Sequence, residues 1–237
     1  NFAAAGAGTV IDSLYAIKKA VYEDKITTFG HLLKAMKEDF RDDEILRQYL
    51  LHKVPKFCKD KDATEFGKKV MDDLAECLGG QANYRGGKFE PSLFAFYSYN
   101  WFKNVTIATA DGRKSESALS RGVNPSESTE NINIAALLDA IKTMDYTKYP
   151  GGAVIYMDIP LMYKTPQPSL FASVMRAFCE NGGSIMDFNV ISRNALLEAQ
   201  KNPETHKNIV VRVCGYSAYF HTLTAEMQNE VIQRTQR

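Results

Sequence analysis

The spacing of apolar residues predicts helices in the first third of the chain. Within residues 7–23, Val10, Leu14, Ile17 and Val21 recur on one stripe at helical spacing, with charged residues off the stripe. The same periodicity, with polar residues at the starts and Gly or Pro at the ends, predicts further helices over residues 29–40, 43–54 and 63–78, the first capped by Thr27 or Thr28. We therefore expect residues 1–80 to form a helical segment.

After residue 80 short apolar runs alternate with helical periodicity. Strands are predicted over residues 92–100, 152–159, 184–191 and 209–213, and helices over 132–144, 169–180, 194–200 and 224–235, the last capped by Thr222 or Thr224. The polar stretch from residue 108 to 131 predicts a long connection that is either functional or disordered. This alternation predicts an α/β fold over residues 81–237, with parallel strands and helices outside them.

Composition narrows the function. The 237 residues are 45% hydrophobic with a net charge of +1, which suits one or two domains and gives no indication of a nucleic acid or membrane partner. No apolar run reaches the ~18 residues that a membrane span requires. The start of the chain lacks Met and a basic stretch, so we expect the inside of a longer chain or a processed end rather than a signal peptide.

The cysteines do not form a metal-binding pattern. Cys58, Cys77, Cys179 and Cys214 lie far apart, none belongs to a CxxC pair, and the histidines do not cluster with them. We expect no metal site. Dispersed thiols in a chain of this size indicate a reducing compartment, and we expect a cytoplasmic protein.

One glycine near the end of the chain carries the candidate chemistry. The apolar run Val210–Val213 breaks at Gly215, which Cys214 and Tyr216 flank. Gly215 can be a simple hinge between a strand and a turn. A glycine also has a chemical property, because a radical at its α-carbon can flatten and delocalise into both adjoining amides without a side chain to twist it.

The residues around Gly215 favour the second interpretation. They resemble the glycyl radical signature Arg-Val-x-Gly-Tyr-x-Ala-x-Phe at six positions: Arg212, Val213, Gly215, Tyr216, Ala218 and Phe220. Further family landmarks are similar to residues 84–87, 109–113, 181–183, 188–190, 202–204 and 228–235. The resemblance covers nearly the whole chain and identifies it with the C-terminal part of a glycyl radical enzyme of the pyruvate formate-lyase-like superfamily, in its dehydratase and lyase branch.

The resemblance implies a fold. Family members form a ten-stranded α/β barrel of two five-stranded half-barrels. Residues 81–237 would be the second half-barrel, with residues 208–237 as the glycyl radical domain, and residues 1–80 would pack on the barrel as a helical segment. The full enzyme would be a homodimer.

The resemblance also implies a mechanism. A radical S-adenosylmethionine activating enzyme with an iron–sulfur cluster would remove a hydrogen atom from Gly215, so the chain itself would bind no cofactor and would carry the glycyl radical as a modification. The buried radical would pass to a cysteine that attacks a small-molecule substrate under anaerobic conditions. The family places that cysteine in a Gly-Cys-x-Glu context, which this sequence lacks. We therefore expect it on an N-terminal part of the enzyme.

Other site residues follow from their positions. Arg212 anchors the radical loop or forms an ordinary ion pair at a strand end, and Cys214 and Tyr216 support the loop. A second set either lines the substrate pocket or packs in the core: Tyr97, Tyr99 and Asn100. Cys214 as the attacking thiol is disfavoured, because adjacent residues of a strand point to opposite sides.

Two other functions are compatible with the sequence. The chain could be a stand-alone radical-domain subunit that docks on a partner holding the cysteine. It could also be a plain α/β structural domain without radical chemistry.

Overall fold

The computed structural model describes residues 1–94, 96–129, 134–158 and 168–235. Its helices are α1 (Ala7–Ile17), α2 (Phe29–Lys37), α3 (Glu44–His52), α4 (Lys61–Leu78), α5 (Ser98–Trp101), α6 (Ile134–Thr143), α7 (Pro168–Glu180), α8 (Arg193–Lys201) and α9 (Ala225–Arg234). Its strands are β1 (Phe2–Ala3), β2 (Pro91–Ser92), β3 (Val154–Asp158), β4 (Ile185–Asn189), β5 (Val210–Arg212) and β6 (Ser217–Tyr219). The mixture of helices and strands agrees with the predicted α/β class.

The chain forms two compact units. The first contains Asn1–Val154 and Arg176–Ile185, and the second contains Ile155–Met175 and Met186–Arg237. The predicted division into residues 1–80 and 81–237 stays a prediction. No helix within the described ranges is both long and apolar enough to cross a membrane.

In the first unit, side chains cap the N-termini of three helices close to the starting positions that the sequence predicts. Thr28 rather than Thr27 caps α2, because its hydroxyl accepts the backbone N–H of His31. Asp43 and Asp60 accept the corresponding amides at the starts of α3 and α4. The helices over residues 29–40, 43–54 and 63–78 are therefore confirmed, with ends that shift by a few residues.

The predicted apolar stripe over residues 7–23 faces the core only in its later half, where Ile17 and Val21 pack against the buried residues. Val10 and Leu14 are 49% and 42% exposed, whereas Ile11 and Tyr15 are buried. Gly8 shares the buried face with Ile11 and Tyr15, and a Cβ atom on Gly8 would overlap the carbonyl oxygen of Asn124. The backbone of α1 lies directly against another backbone segment at this point. The lack of a side chain at Gly8, rather than the apolar stripe, therefore decides which face at the start of α1 is buried. A π-helical stretch, Lys18–Glu23, follows α1 and completes the predicted helix.

The aromatic run over residues 92–100 is not the predicted strand. Strand β2 ends at Ser92 and pairs in parallel with β1, and α5 begins at Ser98. Between them Phe96 has a φ of 47° and is 61% exposed, so an extended, buried course is not maintained. The aromatic and apolar composition predicted a buried strand; Leu93 and Tyr99 are buried, but the backbone between them does not stay extended.

Buried charges organise the polar connection after residue 108. The Asp111 carboxylate accepts hydrogen bonds from the hydroxyl groups of four residues: Ser13, Thr109, Ser126 and Ser128. The ammonium of Lys56 donates to the carbonyl oxygen of Asp111 at 2.8 Å. These hydrogen bonds hold the connection in one conformation; its residues 130 and 131 lie outside the described ranges.

Arg113 holds the same connection from its other side. Its guanidinium donates to the carbonyl oxygens of Ile107, Lys114 and Ser117 at 2.7, 2.9 and 2.5 Å, and to the hydroxyl of Thr106 at 2.9 Å. The guanidinium group can bind several carbonyl groups of one loop at once, because its N–H donors lie in one plane at fixed angles. The landmark at residues 109–113 therefore has a structural role in this chain.

A second buried carboxylate links α1 to the same region. Asp12 accepts the backbone N–H of Phe57 at 2.8 Å and the hydroxyl of Thr129 at 3.1 Å. Burial raises the pKa of the Asp12 carboxyl to about 6, although Lys56 and the Phe57 amide act in the opposite direction. Burial also acts to raise the pKa of Asp111, but Lys56 and the hydroxyl groups outweigh it, so that pKa is lowered.

Strands and helices alternate in the later part of the chain as predicted, within a few residues at each end. Strand β3 pairs with β4, and β5 pairs with β6. Thr224, one of the two candidates, caps α9 by accepting the backbone N–H of Met227. The predictions for residues 132, 133 and 159 lie outside the described residues.

Candidate functional site

Gly215 lies in the turn of a two-stranded hairpin. Strands β5 and β6 are antiparallel, with Val210 opposite Tyr219 and Arg212 opposite Ser217. The turn between them closes through a hydrogen bond of 2.9 Å from the Val213 N–H to the Tyr216 carbonyl oxygen. The expectation of parallel strands is therefore wrong for this strand, because the residues after Gly215 return directly along β5 as a second strand.

The backbone at Gly215 has a conformation that favours glycine. Its φ of 81° lies in the left-handed region, where a Cβ atom would crowd the neighbouring carbonyl group. Gly215 is exposed in this chain, at the end of a hairpin of two strands whose flanks are held by pairing and packing. The expectation that the radical is buried concerns the full enzyme and stays a prediction.

Asp187 holds the turn from strand β4. Its Oδ2 atom accepts the backbone N–H of Gly215 at 2.9 Å, and its Oδ1 atom accepts the Arg212 Nε–H at 2.8 Å. The side chain of Asp187 is 2% exposed and that of Arg212 is 33% exposed. Arg212 therefore forms an ion pair with a carboxylate that also contacts the candidate radical residue, and its role as an anchor of the radical loop stays a prediction.

Asn189 holds the backbone of the hairpin next to this carboxylate. Its Oδ1 atom accepts the Arg212 N–H at 2.7 Å, and its Nδ2 atom donates to the Arg212 carbonyl oxygen at 2.9 Å. The amide side chain thus replaces the two hydrogen bonds that a paired strand would supply. Together Asp187 and Asn189 connect β4 to the hairpin through four hydrogen bonds.

The residues beside Gly215 differ in exposure. Cys214 is 2% exposed and Phe220 is fully buried. Tyr216 and Tyr219 are 48% and 52% exposed, and neither packs in the core of this chain. The supporting roles of Cys214 and Tyr216 stay predictions.

The predicted pocket residues lie in the first unit. Tyr99 and Asn100 belong to the short helix α5 rather than to the end of a strand, and they are 2% and 5% exposed. Tyr97 precedes that helix, and its hydroxyl accepts the Asn100 Nδ2–H at 2.6 Å. The rings of Tyr97 and Tyr99 meet edge to face at 5.6 Å. These contacts describe core packing, and the pocket-lining role stays a prediction.

Sequence reasoning missed Asp187 and Asn189 as site residues, although a signal for them was present. The two residues are separated by one position on a predicted strand that is otherwise largely apolar. Side chains two apart on a strand share a face, so two adjacent polar groups on one face indicate a partner across the sheet.

The arrangement suits an α-carbon radical. Gly215 has no side chain, its amide is fixed by a hydrogen bond, and its neighbours in the turn are held by β-pairing and by β4. On loss of an α-hydrogen, no side chain would hinder this carbon from flattening, as delocalisation into the adjoining amides requires.

Two family models match the chain over separate regions. The model for pyruvate formate lyase-like proteins matches residues 1–103, and the model for the glycine radical matches residues 119–221. The second match contains the hairpin with Gly215. Together the two models describe both the helical first part and the part that holds the candidate site.

Similar proteins agree with these matches. The trans-4-hydroxy-L-proline dehydratase of Clostridioides difficile is 30% identical over 98% of this chain and 30% of its own length. The isethionate sulfite-lyase of Nitratidesulfovibrio vulgaris is 34% identical over 97% of this chain and 28% of its own length. A solved structure from work on 1,2-propanediol dehydration in Roseburia inulinivorans is 30% identical to this chain in sequence. It matches 98% of this chain and 31% of its own chain, with a TM-score of 0.89.

Fold, site and similarity define this chain as part of the glycyl radical class of enzymes. It belongs to the pyruvate formate lyase-like family, and its relatives are glycyl radical dehydratases and lyases. The chain spans about 30% of the length of the curated relatives that it matches.

Proposed function

We propose that this chain stores the radical of an anaerobic glycyl radical lyase or dehydratase on the α-carbon of Gly215. The relatives named above include dehydratases and a sulfite-lyase, which supports a reaction on a small molecule. The observation that carries the proposal is the hairpin turn in which Gly215, at a φ of 81°, occupies the glycine of the radical signature.

The radical is installed by hydrogen-atom transfer. For this transfer, a radical S-adenosylmethionine activating enzyme would supply one electron from its iron–sulfur cluster, which would split S-adenosylmethionine into methionine and a 5′-deoxyadenosyl radical. That radical takes one hydrogen atom from the Gly215 α-carbon and becomes 5′-deoxyadenosine.

The radical then passes to a cysteine outside these 237 residues. The thiol gives its hydrogen atom to Gly215 and becomes a thiyl radical, which takes a hydrogen atom from the substrate. We assign this cysteine to an N-terminal part of the enzyme, which also covers the turn and protects the radical from water and oxygen. Residues 81–237 then supply the second half of a ten-stranded barrel, residues 1–80 pack on it, and the full enzyme is a cytoplasmic homodimer.

The match over residues 1–103 favours part of a full enzyme over a stand-alone radical subunit. A small replaceable subunit needs only the glycyl loop and its hairpin. Here the region that matches the pyruvate formate lyase-like model lies ahead of the glycine radical region and includes helices α1–α4. Those helices have no evident task in a subunit that only carries a radical.

Cleavage by oxygen tests where the radical resides. The protein is activated anaerobically with an activating enzyme, a reductant and S-adenosylmethionine, and is then exposed to air and examined by mass spectrometry. Molecular oxygen adds to the α-carbon radical, and the backbone breaks at Gly215. We expect a cut at that residue in the native protein and none in Gly215→Ala. An uncut native chain after spectroscopic proof of a radical would contradict the assignment.

A further inference from the structure

The carboxylate of Asp187 occupies an unusual position for an ion-pair residue. It is 2% exposed on strand β4, and its two oxygens hold donors of different kinds, one from the Arg212 side chain at 2.8 Å and one from the Gly215 backbone at 2.9 Å. A simple pairing of Arg212 would need neither the second contact nor so deep a burial. The geometry thus assigns Asp187 to the turn as well as to the arginine.

The hydrogen bonds of β4 fix the position of the Gly215 nitrogen. Asn189 holds the Arg212 backbone on both its N–H and carbonyl sides, at 2.7 and 2.9 Å. Asp187 lies on the same face of β4 as Asn189. It accepts the N–H of Gly215, which lies three residues after Arg212. Because Arg212 fixes one carboxylate oxygen, the other has little freedom to leave the Gly215 amide.

The contact also affects electron density at the amide. A glycyl radical is delocalised between the amide nitrogen, which donates electrons, and the carbonyl group, which withdraws them. An anionic acceptor on the N–H polarises that bond and increases the electron density on nitrogen, which strengthens the donating side. Loss of the α-hydrogen leaves the N–H in place, so the hydrogen bond to Asp187 is present both before and after radical formation.

We propose that Asp187 is a positioning residue for the radical, which holds the Gly215 amide in place and stabilises the unpaired electron through the N–H···O bond. This inference rests on the proposed function for its radical part. Its geometric part, the restraint of the Gly215 amide, holds for the protein before activation and can be tested without any radical.

The first experiment measures hydrogen exchange of the Gly215 amide in protein that has not been activated. Glycine is labelled with ¹⁵N, and the Gly215 signal is assigned by its loss in Gly215→Ala. In Asp187→Asn the side-chain oxygen can accept only one of the two donors while the new NH₂ group faces the other, so we expect exchange at Gly215 to rise at least about tenfold. The control Glu198→Gln removes an exposed carboxylate of the same unit and should leave exchange unchanged. Equal exchange in the native protein and Asp187→Asn would overturn the restraint.

The second experiment measures the radical itself after anaerobic activation. Electron–nuclear double resonance in H₂O and D₂O isolates the coupling of the exchangeable Gly215 amide proton, which a purely structural role of Asp187 would not change. In Asp187→Asn we expect an altered coupling and a radical that decays at least about tenfold faster, whereas Glu198→Gln should match the native protein. An unchanged coupling and lifetime would overturn the stabilising role. If the native protein forms no radical, the proposed function fails, and the exchange experiment alone decides the restraint.

Discussion

The Oδ1 atom of Asp187 lies 2.8 Å from the Nε atom of Arg212, in a contact where the carboxylate is nearly fully buried. A buried carboxylate that loses its cation leaves an uncompensated charge, so the pair connects the stability of the hairpin to the site at its turn. The same carboxylate accepts the N–H of Gly215, so a substitution of Arg212 should also alter the hydrogen bond at the candidate radical residue.

Arg212→Lys should destabilise the protein although it keeps the charge. Lysine lacks the planar Nε–H that meets Asp187, so we expect the free energy of unfolding to fall by about 1–3 kcal/mol. Urea denaturation followed by circular dichroism measures the change. The control Arg176→Lys makes the same substitution at an exposed helix position and should change stability by less than about 0.5 kcal/mol. Equal effects of the two substitutions would show that the contact with Asp187 contributes no stability.

Asp12 should make stability depend on pH in the mildly acidic range. Its pKa is raised to about 6 from the ordinary 3.8, so the folded protein binds a proton more tightly than the unfolded chain between these values. The stability that this proton contributes is complete below pH 3.8 and is lost as pH rises towards about 6, by up to about 3 kcal/mol. Unfolding in urea at a series of pH values measures the slope.

The matched variant for that measurement is Asp12→Asn, which cannot ionise. The difference in stability between the native protein and Asp12→Asn should move in favour of the variant as pH rises from 4 to about 6 and should then level off. Asp111, whose pKa is lowered, acts in the opposite direction, and because it repels Asp12 its own titration changes in the variant, so the difference measures the coupled pair. A difference that does not vary over this range would contradict the raised pKa.

Gly8→Ala should be strongly destabilising. The added Cβ atom would overlap the carbonyl oxygen of Asn124 and approach Pro125, so α1 must move away and we expect a loss of at least about 2 kcal/mol. Gly30→Ala is the matched control, because nothing lies within 4 Å of its Cβ position and alanine favours helices by up to about 1 kcal/mol. Thermal denaturation of both variants checks the contrast. A harmless Gly8→Ala would contradict the close packing of α1.

Local signals in the sequence predicted much of this fold. The cap at Thr28, one of the two predicted candidates, depends on a short side chain that bonds to an amide a few residues away, and such a contact can be predicted from spacing alone. Asp43 and Asp60 cap their helices in the same way but were not named from the sequence. The sequence also pointed to Gly215, because the residues that fix the turn and its chemistry are contiguous. Burial of α1 could not be predicted in this way, since the decisive contact joins Gly8 to residues more than a hundred positions away.

The site shows the same limit. Arg212 and Gly215 are recognisable from neighbouring residues, but the group that connects them, Asp187, comes from a different strand more than twenty positions earlier. The polar face of β4 indicates that Asp187 has a partner, but no local pattern shows that the partner is the hairpin. Strand β6 was missed for a related reason, because its three residues are exposed or only partly buried and carry no apolar alternation.

Electron spin resonance after anaerobic activation tests the central claim most directly. An unpaired electron on Gly215 couples to its one remaining α-hydrogen, so the native protein should give a doublet at the g-value of a carbon radical. Gly215→Ala should give no such doublet under the same conditions. A native protein without the signal despite an activating enzyme proven on another substrate, or a doublet that persists in Gly215→Ala, would contradict the account.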